Sequence, residues 1–252
     1  MHATVHEAAN RAGVAIVRTP PPHTLGWALR RVIATYGVDH VLDVGAHRGE
    51  FARRLRDKAR FTGSITSFEP SPETYAALTA ALGHDPAWRG CNLALGAQDG
   101  DAELRVHSAS DFDSLHDLNA AGHDRFPELS VDGTRTVPVR RLDRVIGELG
   151  IDGSTSRVLL KTDTQGHDLD VIRGAGSALE QIAAVLMETA AIPIYDGVAT
   201  IDVAVAEMRD RGFDPAGFFP VISERNSLPV MEFDALFVNR LLDAGRRAST
   251  PG

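Results

Sequence analysis

Apolar residues recur along the chain in short runs, and the segments between the runs have helical spacing. Six runs have the length of buried strands, near residues 41–45, 65–69, 91–95, 157–163, 183–189 and 234–239. Strands that alternate with helices indicate parallel pairing through crossover connections. The pattern therefore predicts an α/β fold with a doubly wound, mostly parallel sheet and helices on both faces.

The predicted helices have apolar residues on one face. The first begins at Thr24, which can cap its N-terminus, and ends at Gly37. Its apolar face consists of Leu25, Leu29, Val32 and Tyr36. Two later helices have apolar faces made of Tyr75, Leu78 and Leu82, and of Ile201, Val205 and Met208 before Gly212. We expect these faces to pack in the core.

The alternation is interrupted between Asp99 and Arg141. A strand-like AELRVH is followed by a polar stretch, Ser108 to Asp113, and then by TVPVRRLD. We interpret this region as an inserted hairpin with a long loop, serving either as a lid or substrate-binding element or as an unpacked insertion. The remaining chain predicts an N-terminal arm at 1–23, a single domain at 24–244 and a disordered tail at 245–252.

Composition narrows the range of partners and locations. The 252 residues are 43% hydrophobic, enough for one sizeable core, and the formal net charge is −8. This charge argues against a nucleic-acid partner, which clustered Lys and Arg would bind. The single cysteine, Cys91, excludes an internal disulfide and suggests a reducing compartment. With no apolar run long enough to span a membrane and no signal-peptide core, we expect a cytoplasmic protein.

The segment VLDVGAHRGEF, residues 41–51, predicts a strand that turns tightly into a helix. Glycines there allow close approach of a ligand, and a new helix offers unpaired N–H groups to an anion. A carboxylate two residues before the first glycine suits a ligand that also carries a positive charge. S-adenosylmethionine (SAM) has both features. The predicted binding residues of this turn are Asp43, Gly45, Ala46, His47 and Gly49.

A second motif, ITSFEPSPETY, places Glu69 and Pro70 at the end of the next strand. Glu69 follows Gly49 by 20 residues, the distance at which a βαβ unit presents an acid to a ribose. NAD enzymes place an acid at the same point, but His47 replaces the second glycine of their G-x-G-x-x-G fingerprint. We therefore expect SAM as the cofactor, with an NAD-dependent oxidoreductase as the alternative.

Further acids are expected at the carboxyl ends of later strands, where open α/β sheets bind ligands. Asp163 ends one strand, His167 follows a glycine turn, and AAVLMETA places Glu188 at the end of the next. We predict that these three residues are catalytic, with Asp163 also contacting the cofactor. His167 is the best candidate base by intrinsic pKa, and Asp163 and Asp168 are its rivals. The alternatives are helix-start or capping roles.

Other residues are assigned more weakly. By fold analogy, Asn92, Leu93 and Ala94 line the adenine pocket, and Ser114 faces the cofactor. Three histidines of the insertion match no zinc spacing and are expected to face solvent, namely His107, His116 and His123. No metal ligand is assigned.

Six segments occur in the order typical of FkbM-type SAM-dependent methyltransferases, and the chain resembles this family over roughly residues 38–240. They are the glycine motif, FEPSP, NLALG at 92–96, RLD at 141–143, KTDTQGHDLDVIRGA and the MET segment. The resemblance implies a Rossmann-like class I methyltransferase that acts on hydroxyl groups of small molecules such as sugars, glycolipids or secondary metabolites. A non-catalytic SAM-fold partner protein is a further alternative.

Two departures from the family pattern concern the catalytic apparatus. His47 and Arg48 replace an Asn and an apolar residue, and Gln165 and Asp168 stand at two Glu positions. Related sugar methyltransferases use Mg²⁺, which Asp163 and Glu188 could bind, but two acids are too few to assign such a site. The oligomeric state is left open, with a homodimer as one alternative.

Overall fold

A computed structural model describes residues 23–151, 156–223 and 230–242. The predicted arm, apart from His23, and the predicted tail lie outside these residues, and the domain bounds stay a prediction. The described chain forms ten strands: β1 (His40–Val44), β2 (Ser64–Phe68), β3 (Trp88–Cys91), β4 (Ala94–Leu95), β5 (Gly100–His107), β6 (Val131–Arg140), β7 (Val158–Thr162), β8 (Ile182–Ala190), β9 (Phe213–Ser223) and β10 (Val230–Asn239).

Seven helices accompany the strands, with shorter helical turns between them. They are α1 (Leu25–Tyr36), α2 (Glu50–Arg54), α3 (Pro72–Leu82), α4 (Ala120–Arg125), α5 (Leu142–Glu148), α6 (Asp168–Ala175) and α7 (Ile201–Asp210) within the described ranges. A π-helical turn, Leu55–Ala59, continues α2, and 3₁₀ turns occur at Ser110–Phe112 and Gly176–Gln181. No helix in this part of the chain is long and apolar enough to cross a membrane.

The main sheet has the strand order β3-β2-β1-β7-β8-β10-β9. Its first five strands are parallel, and β10 is antiparallel to both of its neighbours. Successive strand residues point to opposite faces: Val41 packs in one apolar cluster with α1 to α3, and Leu42 in another with α5 to α7. The predicted doubly wound, Rossmann-like fold with helices on both faces is therefore confirmed.

Local signals place the first helix as predicted. Thr24 accepts a hydrogen bond from the Trp27 N–H at 3.4 Å, and Gly37 ends the helix in the left-handed region at φ +64°. Leu29 and Val32 of its apolar face are buried. The helix thus covers the sheet beside the glycine turn.

Two strand predictions were wrong. The run at 91–95 is divided, because β3 ends at Cys91 in the main sheet and β4 begins at Ala94 in a second sheet. Strand β9, which contains Pro215 and Pro220, was not predicted. Both prolines are tolerated because β9 is an edge strand that pairs with β10 alone.

The insertion contains the predicted hairpin. Strands β5 and β6 pair antiparallel, and β6 also pairs with β4. The segment between β5 and β6 is packed, since Leu118 lies in an apolar cluster with Ile194, Tyr195 and Met231. The alternative of an unpacked insertion is therefore wrong for the structure described.

Packing of the insertion also changes the positions expected for its histidines. His107 is only 4% exposed and His116 is half-buried, whereas His123 is exposed. The expectation of solvent exposure was wrong for the first two, because the insertion folds back onto the domain.

Candidate active site

A cavity of about 520 Å³ lies at the carboxyl ends of β1, β2, β7 and β8, bordered by the insertion. Eleven of the predicted site residues line it: Gly45, Ala46, His47, Glu69, Pro70, Leu93, Ala94, Ser114, Asp163, His167 and Glu188. Their roles toward a ligand stay predictions. The structure brings them to one place because parallel strands end at the same edge of a sheet.

The backbone of the glycine turn is already hydrogen-bonded. The N–H groups of Gly45 and Ala46 donate to the Phe68 carbonyl, and that of Gly49 donates to Ala46. The His47 N–H donates to Glu69 and the Arg48 N–H to Glu50. The N–H groups of the turn itself are therefore paired with backbone carbonyls and nearby carboxylates, whereas the role expected for those of the first turn of α2 stays a prediction.

The glycine at position 45 is required for packing against the neighbouring strand. Gly45 has φ +69°, and a Cβ there would lie 1.8 Å from the Asp163 carbonyl oxygen. The close approach is thus between two protein backbones rather than between the turn and a ligand. It brings Asp163 against the turn and fixes one wall of the cavity.

Glu69 lies at the edge of the cavity and is 7% exposed. Its two carboxylate oxygens accept the N–H groups of His47 and Ser71, each at 2.9 Å. Burial raises its pKa to about 7, and the two N–H groups oppose this shift. Because each carboxylate oxygen has a second lone pair, Glu69 can still accept hydrogen bonds from the hydroxyl groups of a ligand.

Three predicted residues lie behind the cavity rather than in its lining. The Asp43 carboxylate is fully buried beneath the glycine turn. Gly49, at φ +85°, turns the chain into α2, and a Cβ there would contact Leu82. The Asn92 amide donates to the carbonyls of Glu69 and Pro70 at 2.8 and 3.0 Å. These residues shape the two loops, and direct contact with a cofactor stays a prediction for each.

Lys161 is a buried cation that our reasoning from sequence missed. Its ammonium lies 3.2 Å from Asp43 Oδ1 and 3.5 Å from Asp163 Oδ2, and donates to the Gly45 carbonyl at 2.7 Å. Burial lowers the pKa of Lys161, but Asp163 and Asp43 together raise it above its usual range. The cation ties the ends of β1 and β7 together. A lysine inside the apolar run VLLKT was the available signal.

Gln165, which stands at a family Glu position, joins the two predicted catalytic acids. Its Nε2 lies 3.4 Å from Asp163 Oδ1 and 3.1 Å from Glu188 Oε2, and its Oε1 accepts the Tyr195 hydroxyl at 2.9 Å. Burial and the nearby Asp163 raise the pKa of Glu188 well above its usual value. The Gln165 amide therefore occupies the space between the Asp163 and Glu188 carboxylates, where a shared Mg²⁺ would have to lie.

Further acids surround this pair: Asp168 was considered from the sequence only as a rival base, and Glu232 and Asp234 were not assigned a role. Burial, followed by repulsion from Asp163, raises the pKa of Glu232 to about 7 and that of Asp234 to about 6. The same two causes raise the pKa of Asp168 to about 6. Asp234 of β10 is the register partner of Glu188 in β8. The two residues are adjacent because these two strands are neighbours in the sheet.

His167 lines the cavity at the start of α6. Its Nδ1 lies 3.3 Å from His116 Nε2 and 3.4 Å from Asp170 Oδ2. Burial lowers the pKa of both histidines. Nδ1 of His167 faces the cluster formed with His116 and Asp170.

The insertion closes one side of the cavity. The His47 ring is 2.9 Å from the Ser110 hydroxyl and 3.1 Å from Asp111 Oδ1. The Ser114 hydroxyl donates to the Gln165 carbonyl at 2.6 Å. The segment between β5 and β6 thus contacts both the glycine turn and the loop that follows β7.

The family model of the methyltransferase FkbM domain matches residues 43–215, more than half of the chain. The chain belongs to the FkbM methyltransferase family. The match begins at Asp43 and extends into β9, so it includes the glycine turn, Glu69 and the acids of the cavity.

One curated relative is the 2-O-methyltransferase NoeI of Sinorhizobium fredii (strain NBRC 101917 / NGR234), 27% identical over 168 residues. The match covers 62% of this chain and 65% of NoeI, so it spans just under two thirds of that relative.

Two solved structures are also similar. Magnesium protoporphyrin IX methyltransferase (ChlM) of Synechocystis PCC 6803, with bound SAM, gives a TM-score of 0.46 at 10% identity, over 85% of this chain and 77% of that one. An rRNA methylase of Streptococcus thermophilus gives 0.42 at 10% identity, over 89% and 99%. Neither likeness carries an argument about function.

Proposed function

We propose that this FkbM-family protein is a SAM-dependent methyltransferase that methylates a hydroxyl group of a small molecule, such as a sugar, a glycolipid or a secondary metabolite. The observation that carries the proposal is the single cavity between the glycine turn, Glu69 and the acids Asp163 and Glu188, within the matched family region. Its volume of about 520 Å³ lies in the range of small-molecule sites, roughly 300–1,000 Å³.

The cofactor end of the cavity is assigned to the loops after β1 and β2. The two remaining lone pairs of Glu69 suit ribose hydroxyls, and Leu93 and Ala94 offer apolar surface to a base. The carboxylates of the cavity suit a ligand with positive groups. When bound, SAM supplies a methyl group on a sulfonium, which passes to the acceptor oxygen as the C–S bond breaks and the C–O bond forms.

The acceptor hydroxyl must lose a proton in this reaction, and Asp163 and Glu188 are the proposed receivers. The Gln165 amide lies within hydrogen-bond distance of both carboxylates, and burial raises the pKa of Glu188, which makes its carboxylate a stronger proton acceptor. His167 remains an alternative base, with weaker support because its Nδ1 faces His116 and Asp170. Orientation of the acceptor is expected to provide most of the rate acceleration.

The relative NoeI, named as a 2-O-methyltransferase, supports a hydroxyl acceptor. Nothing in the cavity singles out Mg²⁺, and no metal ligand is assigned to Asp163 or Glu188. From the composition we also propose a cytoplasmic location and no nucleic-acid partner. The family match favours methyl transfer over the oxidoreductase alternative.

Incubation with labelled SAM and a panel of sugars and hydroxylated metabolites tests the proposal. We expect a methyl ether on one acceptor class, identified by mass spectrometry. Glu188→Gln should lower kcat by about 10²- to 10⁴-fold, the usual contribution of a general base, while the Kd for SAM changes little. Bound SAM with no transfer to any acceptor would favour the non-catalytic alternative, and full activity of Glu188→Gln would remove its role as base.

A further inference from the structure

Two histidines and an aspartate converge beside the cavity, on the side away from the glycine turn. His116 comes from the insertion, and His167 and Asp170 come from the start of α6. One ligand atom from each residue lies within 4.8 Å of the other two. The three residues are half-buried, so an ion can reach them from solvent.

The atoms that face one another in this cluster have more lone pairs than a single proton can hydrogen-bond to. His116 Nε2 is an acceptor when the ring carries its proton on Nδ1. Asp170 Oδ2 is also an acceptor. A proton on His167 Nδ1 can be donated to His116 or to Asp170, so one acceptor stays unmatched. A cation bound to all three atoms would accept a lone pair from each of them.

Two of the three ligand–ligand distances match those of a tetrahedral metal site, and the third is no more than 4.8 Å. Ligand atoms about 2.0–2.1 Å from a tetrahedral zinc ion lie roughly 3.3–3.4 Å from one another. His167 Nδ1 is 3.3 Å from His116 Nε2 and 3.4 Å from Asp170 Oδ2. We propose that His116, His167 and Asp170 bind a divalent ion of the zinc class, with water at the fourth position.

The surrounding hydrogen bonds orient the ligands as outer-shell partners of metal sites do. Arg173 donates to Asp170 Oδ1 at 3.1 Å, which leaves Oδ2 directed at the histidines. Arg173 also pairs with Glu207 at 2.8 Å, so part of its positive charge is balanced away from the site.

The donor set selects the kind of ion. Two imidazole nitrogens and one carboxylate oxygen suit zinc and its neighbours, whereas Mg²⁺ and Ca²⁺ prefer all-oxygen sets. The site is thus different in chemistry and position from an Mg²⁺ site between Asp163 and Glu188, and it does not depend on the proposed methyl transfer. Bound metal would fasten the insertion to α6 next to the cavity.

The direct test is calorimetric titration of the full, untagged chain with ZnCl₂ after treatment with a chelator. We expect one ion per chain, a higher Tm with zinc, and with Co²⁺ the visible absorption of a tetrahedral site. His116→Ala and Asp170→Asn should weaken zinc binding by about 100-fold or more, beyond the roughly 10- to 100-fold cost of losing an outer-shell partner. Circular dichroism checks that both variants fold.

His84→Asn is the matched control, because His84 is an exposed histidine outside the cluster. Its zinc affinity should equal that of the unchanged protein. Two results would overturn the proposal: no binding of one zinc ion per chain by the unchanged protein, or a loss of affinity in His84→Asn as large as in His116→Ala. The first result decides the question even if a variant fails to fold.

Discussion

At the residue scale, Lys161 supports the glycine turn through its buried ammonium. We predict that Lys161→Met lowers the free energy of unfolding by about 3–5 kcal/mol, because Asp43 is left buried without its counter-charge. Adding Asp43→Asn should recover part of this loss, since the uncompensated charge is then removed. Urea unfolding followed by circular dichroism measures both effects.

The chain's other lysine provides the control. Lys58 is exposed, so Lys58→Met should change the unfolding free energy by less than about 0.5 kcal/mol. Equal stabilities of the Lys161→Met and Lys58→Met variants would show that the buried ion pair does not stabilise the turn.

Glu69 gives the stability of the ligand-free protein a dependence on pH. Its pKa is raised from 4.5 to about 7 by folding, so the folded state retains a proton that the unfolded state releases between these values. Its contribution therefore favours folding at low pH and is lost as the pH rises to about 7. As the pH rises from 5 to 8, the stability of Glu69→Gln relative to the unchanged protein should therefore increase by roughly 1–3 kcal/mol.

Urea unfolding at the two pH values measures this relative gain. Glu73→Gln is the control, because the Glu73 side chain is exposed and pairs with exposed Arg135. It should show no comparable pH-dependent gain. If Glu69→Gln behaves in the same way as Glu73→Gln, the Glu69 carboxyl does not titrate near neutral pH in the folded protein.

The positions of individual acids could be predicted to the extent that they follow a strand end. Glu69 and Asp163 each do, Glu188 lies near the end of β8, and all three line the cavity. Lys161 and Asp234 could not be assigned in this way, because their partners come from neighbouring strands. Asp43 and Lys161 are register partners across β1 and β7, and Asp234 and Glu188 across β10 and β8. Such contacts depend on the strand order.

At the scale of elements, the insertion is held by one arginine of β5. Arg105 donates to both carboxylate oxygens of Asp117, at 2.6 and 2.8 Å, and to the Leu115 carbonyl at 2.9 Å. Bidentate charge-assisted bonds of this kind are stronger than neutral hydrogen bonds. We predict that Arg105→Met makes hydrogen exchange about 10- to 100-fold faster over residues 108–130, since local opening becomes easier.

Arg135→Met in the paired strand β6 is the control for this measurement. Arg135 forms an exposed ion pair with Glu73, of a kind that contributes little to stability. Exchange over 108–130 should stay near that of the unchanged protein. Unaltered exchange in Arg105→Met would mean that apolar packing of Leu118 and Tyr195 holds the segment without the arginine.

The elements were predictable where periodicity and end signals agree, as in α1 with Thr24 and Gly37. They were not predictable where tertiary position overrides local preference. The two prolines of β9 are compatible with a strand only at a sheet edge, and the run at 91–95 divides only because a second sheet exists.

At the scale of the whole molecule, the sheet order places the loops after β1 and β2 next to the acids after β7 and within β8. The central claim is that this common cavity binds SAM through Glu69 and the glycine turn. It follows from the fold, the lining residues and the family, although the N–H groups of the turn are already paired.

Calorimetric titration with SAM tests this claim most directly, with NAD as the competing ligand. We predict binding of one SAM per chain and no binding of NAD, with affinity for SAM reduced about 10- to 100-fold in Glu69→Gln. Glu73→Gln should bind as the unchanged protein does. Binding of NAD alone, no binding of SAM, or full SAM affinity in Glu69→Gln would contradict the account.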